Sequence, residues 1–220
     1  AAILAMEDKR FYGHGAFDLV GIARAFWVNV RAGHVSQGAS TISQQLARSI
    51  FLDVRRTWRR KIMESALALY LELRYPKPQL LEMYLNQVYW GQDGADSVVG
   101  LEAASQSLFG KPARRLTVAE SATLAGMLQS PNRYSPRVNV EESLNRRKIV
   151  LGLMRDQRVI TPEQYQAASI EKIRLVELKN ANEAAYFLAE VHEELSESYA
   201  GAALASQGWS VYTTLDPVLQ

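Results

Sequence analysis

The stretch "TISQQLARSIF" (41–51) separates into two sets of side chains when its residues are set at intervals of about 100° around a helix axis. Thr41, Gln44, Gln45 and Arg48 fall on one side, and Ile42, Leu46 and Ile50 fall on another. The spacing predicts an amphipathic helix, entered through Gly38 and Ala39 and capped by Ser40 or Thr41. The same three-to-four apolar spacing recurs at 59–75, 78–90, 101–109, 117–129, 139–157, 161–170 and 183–199. Boundary signals support these helices: Pro78 follows "YPK" at one start, Gly110 closes another, and Thr161-Pro162-Glu163 supplies a cap with proline at the first helical position. Strand-like sequence is confined to "IRLVEL" (173–178) and "SVYTTL" (210–215). The expected architecture is therefore mainly α over 1–175, followed over 176–220 by a linker and a short mixed α/β tail.

Composition narrows the chemistry. The chain has 220 residues, 48% of them hydrophobic, enough to bury a substantial core. Its 25 basic and 23 acidic residues leave a net charge of +2, so whole-molecule charge favours neither nucleic acid nor an acidic partner, and any basic site must be local. Cysteine is absent, which excludes disulfides, thiolate nucleophiles and zinc-thiolate sites. His14, His34 and His192 are too far apart in sequence to suggest a multi-histidine metal site. No apolar run is long enough to span a bilayer. The apolar, uncapped opening "AAILAM" and the strand-like ending lead us to expect a piece cut from a longer protein.

Ionisable groups cluster in three places. "MEDKRFYGHGAFD" (6–18) sets adjacent acids beside bases, aromatics and a histidine, and its plain reading is a helix ending near Gly13 with a charged last turn. The polar side of 41–51 offers a hydroxyl, two amides and a guanidinium, which suit a sugar or phosphate, although an ordinary wet helix face accounts for them too. "RRTWRRKIMES" (55–65) has five basic residues in seven positions, and Glu64 shares a helical face with Arg60 and Lys61. That grouping reads either as surface ion pairs or as a cation cluster for an anionic leaving group. A fourth segment, 16–34, is apolar around Phe26 and Trp27 and reads as a core helix or as one lying in a membrane interface, with Ile50 to Leu52 as a second contact.

Taken in order, "ED-KR-F-YG-H" (Glu7 to His14), "GAST-IS-QQL-A-R" (Gly38 to Arg48), "RK-IM-E" (Arg60 to Glu64), "N-QV-Y-WG" (Asn86 to Gly91) and the segment Ala119 to Pro136 resemble the five motifs of family 51 peptidoglycan glycosyltransferases. The resemblance covers the helical part. The trailing "VYTTLDPVLQ" looks like the lead-in to the transpeptidase domain of class A penicillin-binding proteins, and the longer stretch between Gly91 and Gly100 resembles the 1b-type subgroup. Gly15-Ala16 departs from the family order after the histidine. The matches of Ser169 to Lys172 and Ser130 to Asn132 to transpeptidase signatures are in reversed order and are treated as chance.

The resemblance implies a lysozyme-like fold and the polymerisation of lipid II into β-1,4 glycan, with inversion and loss of undecaprenyl pyrophosphate. It implies Glu7 as the base and Glu64 as the second essential glutamate. Asp8, His14, Ser40, Thr41, Gln44, Gln45, Arg48, Arg56, Arg60, Lys61 and Asn86 would bind or orient substrate. No cofactor is fixed by the sequence, and a divalent cation, magnesium or manganese, stays open as a helper for the pyrophosphate. The partners implied are lipid II, the growing glycan, the membrane surface, the chain's own transpeptidase domain and proteins of wall synthesis or division, with no nucleic acid. The implied location is the outer face of the bacterial cytoplasmic membrane, with an anchor outside this chain. Two rivals remain at this point: a lysozyme-like hydrolase or lytic transglycosylase, and a non-catalytic docking domain of a wall-building complex.

Overall fold

The computed structural model describes residues 1–33, 40–51, 57–93 and 96–176, together with Val191 and Glu194. The chain divides into two compact units, Ala1–Val176 and Glu177–Gln220. The expected tail strand at 210–215 and helix at 183–199 fall in the second unit, outside the described residues apart from Val191 and Glu194.

The first unit is helical: α1 (Ala2–Glu7), α2 (Leu19–Ala32), α3 (Ile42–Phe51), α4 (Trp58–Arg74), α5 (Lys77–Gln87), α6 (Leu101–Phe109), α7 (Val118–Met127), α8 (Pro131–Tyr134), α9 (Val140–Asp156) and α10 (Pro162–Ile170). Local chemistry sets many of the ends. Thr117 with Glu120 and Thr161 with Gln164 form reciprocal capping boxes, and Asn139 caps α9 by accepting from Glu142 N–H. Gly110 stops α6 with φ 64°, a left-handed conformation that glycine adopts without a side-chain clash.

Three expectations are corrected. The helix at the start ends at Glu7, and only a single 3-10 turn, Phe11–Gly13, lies between it and His14. The helix expected over 78–90 ends at Gln87, and the chain enters an antiparallel hairpin of β1 (Tyr89–Asp93) and β2 (Asp96–Val99). Tyr89 and Trp90 continue the helical spacing in sequence, but Gly91 sits at φ 111°, which a helix cannot accommodate. Residues 173–176, expected as strand, run as irregular chain, with Val176 N–H donating to the Leu108 carbonyl at the end of α6.

The core is centred on α7, where Ala119, Ala122, Leu124, Ala125 and Met127 are all buried. This helix packs against α9 and α1, while α3 packs against α4 and α5. Gly126 lets α7 and α9 approach closely: a Cβ there would lie 3.1 Å from Arg146 Cβ and 3.3 Å from its carbonyl carbon. Ile42 and Leu46 are fully buried on the inner side of α3, as the spacing of 41–51 requires. Leu46→Ala should cost about 2–5 kcal/mol of unfolding free energy in urea titration, because the fully enclosed site cannot collapse around the missing methyl groups.

Candidate functional site

The backbone that follows α1 is held by one carboxylate. Asp8, 7% exposed, accepts from the Ile42 N–H at 3.1 Å through Oδ2 and meets His14 Nε2 at 2.7 Å through Oδ1. The first contact places negative charge at the N-terminus of α3, where backbone N–H groups are free and the helix dipole favours an anion. His14 Nδ1 faces the Gly15 carbonyl at 2.6 Å, so both ring nitrogens meet oxygen acceptors. Thr41 adds a second tie by donating to the Ala16 carbonyl at 2.8 Å. Asp18 caps α2 by accepting from Gly21 N–H and pairs with Arg10.

These ties bring Glu7 over the polar side of α3. Gln45 Nε2 donates to Glu7 Oε2 at 3.0 Å, while Tyr84, from α5, donates to Gln45 Oε1 at 3.1 Å. Glu7, Asp8, Ser40, Thr41, Gln45 and Arg48 line a cleft of about 850 Å³. Lys9, Asp18, Gly21 and Arg24 also line it, as do Leu128, Gln129, Arg146, Ile149, Leu153 and Gln157 from the segments around α7 and α9. Arg146 lies with its guanidinium 4.9 Å from the centre of the Tyr134 ring, and its buried Nε and Nη2 have no hydrogen-bond partner among the described residues. Of the three carboxylates on this cleft, Asp8 and Asp18 are engaged as above, whereas Glu7 Oε1 has no hydrogen-bond partner among the described residues, and the same cleft holds the cations Lys9, Arg24, Arg48 and Arg146. Such an arrangement suits proton removal from a hydroxyl together with stabilisation of an anionic group.

The remaining expected residues are distributed differently. Thr41 and Gln44 are buried and bond each other reciprocally in a cap: Gln44 N–H donates to the Thr41 hydroxyl and Thr41 N–H to the Gln44 amide oxygen. Glu64 is 1% exposed, with Oε1 taking Lys61 Nζ at 2.5 Å and Oε2 without a partner among the described residues. Lys61 reaches Ser40 at 3.3 Å and so borders the cleft, but neither Arg60 nor Glu64 lines it. Asn86 is placed elsewhere, in a hollow of about 340 Å³ with Tyr12, Glu82 and Glu102. Arg56 lies outside the described residues. Arg24, Arg146 and Tyr84 were not singled out from sequence. The close α7–α9 contact at Gly126 is what presents Arg146, and nothing local to "LNRRK" marks which guanidinium faces inward.

Asp8, His14 and Asp18 hold ligand-type atoms within 4.8 Å of one another. Those atoms are already engaged, by Ile42 N–H, by Gly21 N–H, by Arg10 and by each other, which fits a divalent cation poorly. Glu64 belongs to no such cluster among the described residues.

The outer face of α2 is apolar. Leu19, Val20, Ile22, Phe26, Trp27 and Val30 are exposed, Phe26 at 68% and Trp27 at 69%. They cover an arc of about 160° at helical spacing, beside Arg24 and Arg31, while Gly21, Arg24 and Ala25 line the cleft. Ile50 packs against the core, and Leu52 lies outside the described residues.

A family model described as Transglycosylase matches residues 1–155. Penicillin-binding protein 1B of Vibrio cholerae is 40% identical over 221 residues, an alignment that takes in 100% of this chain and 28% of that protein. Penicillin-binding protein 1A of Neisseria flavescens is also 40% identical, over 100% of this chain and 27% of its own length. The chain therefore spans about a quarter of the length of these curated relatives. The 1A and 1B relatives match at equal identity, so the comparison does not separate the two types. In the 2.6 Å crystal structure of penicillin-binding protein 1A from Haemophilus influenzae, the match has a TM-score of 0.50 and 25% identity over 74% of this chain and 20% of that chain.

Burial, reinforced by the negative charge of Glu7 and opposed by Arg48, raises the Tyr84 phenol above its ordinary value of 10. A group bound more tightly to its proton in the folded state contributes stability in full below the unfolded value and loses it as pH rises toward the folded one. Between about pH 9 and about pH 11, urea stability should fall less steeply for Tyr84→Phe than for the parent. Parallel slopes would contradict the buried, neutral phenol.

Proposed function

Because this chain belongs to the transglycosylase family, we propose that its cleft polymerises lipid II into β-1,4 glycan strands. The observation that carries the reading is the pairing of Glu7 with a group of cations around one open cleft. In the proposed step the 4-hydroxyl oxygen of one sugar bonds to the anomeric carbon of the growing chain from the face opposite the leaving group, which inverts that carbon. The bond from the anomeric carbon to the pyrophosphate oxygen breaks with its electron pair remaining on that oxygen. Glu7 takes the hydroxyl proton through Oε1, while Gln45 holds Oε2.

Undecaprenyl pyrophosphate leaves with concentrated negative charge, and fixed guanidinium groups stabilise that charge as it develops. Arg48 and Arg146 are assigned to this work, with Lys61 at the margin through Ser40. Glu64 is assigned to holding Lys61 in place. No step is routed through a metal ion. A hydrolase acting on an uncharged glycosidic leaving group would have no anion for these cations to neutralise, which favours the transferase over it. A docking domain would leave the Glu7, Gln45 and Tyr84 contacts without a purpose.

The lipid tail is proposed to lie along the exposed face of α2, whose other side borders the cleft. Aromatic and aliphatic residues with flanking arginines suit an acyl and headgroup boundary. No helix among the described residues is long and apolar enough to cross a membrane. The proposed location, which follows from the membrane-bound lipid II substrate, is the outer face of the cytoplasmic membrane. A transpeptidase domain following it, and proteins of wall synthesis, are its proposed partners.

Two measurements test this reading. Labelled lipid II in detergent should be polymerised by the parent, and Glu7→Gln should lower the rate by about a hundredfold to ten-thousandfold at unchanged thermal stability; a Glu7→Gln variant with parental rate would refute the base. Phe26→Ser combined with Trp27→Ser should reduce co-flotation with liposomes, and undiminished flotation would refute α2 as the lipid-facing element.

A further inference from the structure

We propose that Tyr84 is a positioning residue for Glu7 and acts through the side-chain amide of Gln45. The inference rests on the reading of Glu7 as the base. Three elements meet in this relay: Glu7 ends α1, Gln45 lies in α3, and Tyr84 lies in α5. Each link spans a large sequence separation, 38 residues from Glu7 to Gln45 and 39 from Gln45 to Tyr84, so only the tertiary fold assembles it.

The relay has a direction. A side-chain amide carries an acceptor at one end and donors at the other. The Tyr84 hydroxyl, donating to Oε1 at 3.1 Å, occupies the acceptor end and leaves Nε2 to donate to Glu7 at 3.0 Å. Without that hydroxyl, a half-turn of the amide would set its oxygen against the Glu7 carboxylate, where two acceptors repel, or let the amide swing away. Glu7 would then lose the contact that fixes Oε2 and, with it, the aim of Oε1 into the cleft.

Tyr84 is suited to hold such a setting. It is 3% exposed, so its ring cannot move without disturbing the core, and burial keeps its phenol protonated and able to donate. An exposed serine or glutamine at that place would exchange its hydrogen bond with water. A tyrosine that merely fills the core makes a different forecast: truncating it to phenylalanine would change stability without changing the amide or the turnover rate.

The test uses Tyr84→Phe, which keeps the ring and removes only the hydroxyl. With lipid II as substrate, kcat should fall about tenfold while KM stays within about twofold, as expected for a misaligned group rather than lost binding. Gln45→Ala should lower kcat by at least as much. In the chain labelled with 15N-glutamine, the Gln45 side-chain NH2 pair is identified by its loss in Gln45→Ala. That pair should shift in Tyr84→Phe and also in Glu7→Gln. Parental kcat in Tyr84→Phe, or an unmoved Gln45 NH2 pair, would overturn the proposal. Parental turnover in Glu7→Gln would instead overturn the assignment of the base itself, which separates the two failures.

Discussion

The contact between the Asp8 carboxylate and the first N–H of α3 is the constraint on which the site depends. The chain leaves α1 at Glu7 and must cross to α3, the two bonded positions being 34 apart in sequence. An anion at a helix N-terminus is a low-cost way to fix that crossing, because it satisfies a donor with no intrahelical partner and meets the positive end of the dipole. His14 takes the other oxygen, and Thr41 reaches back to Ala16. Once the crossing is set, Glu7, one residue earlier, is carried to Gln45 on the next turn of α3. The adjacent acids of the sequence thus divide the labour: the buried one anchors and the open one faces the cleft.

Charge and apolar surface are arranged around that anchor. The α7–α9 contact at Gly126 sets the backbone that brings Arg146 to the cleft, and α3 contributes Arg48 to the same cleft as Glu7. The α2 helix has two distinct sides, one bordering the cleft and one apolar and exposed. The proposed substrate, with an anionic linkage between a sugar and a long lipid, has chemistry to match both kinds of surface. Lys77 pairs with Glu72 at 2.7 Å and lies 4.3 Å from the centre of the buried Phe11 ring, which ties the turn after α1 to the start of α5.

Much of the helical frame was legible because its signals are local. Thr117, Asn139 and Thr161 cap the helices that they were expected to open, and the faces of 41–51 separate in the fold as they do in projection. The β1–β2 hairpin was missed because Tyr89 and Trp90 prolong the helical spacing, while the backbone of Gly91 ends it. Ordered motifs singled out Glu7, Gln45 and Arg48, which the fold brings to one cleft, but could not distinguish an amide that meets the carboxylate from one that joins a cap, as in Gln44. Tyr84 reads in sequence as one more core aromatic, and Arg146 as one more charge on a charged helix. Their placement follows from contacts between elements far apart in the chain, which spacing does not encode.

The most direct test of this account is the effect of Asp8→Asn on glycan polymerisation. The substitution keeps the side chain's size and leaves Glu7, Gln45 and Arg48 untouched, but removes the charge at the start of α3. Polymerisation should fall by about tenfold or more with helical content preserved, because an ill-placed base costs rate even when it is chemically intact. A folded Asp8→Asn variant that polymerises lipid II at the parental rate would contradict the claim that this carboxylate sets the site.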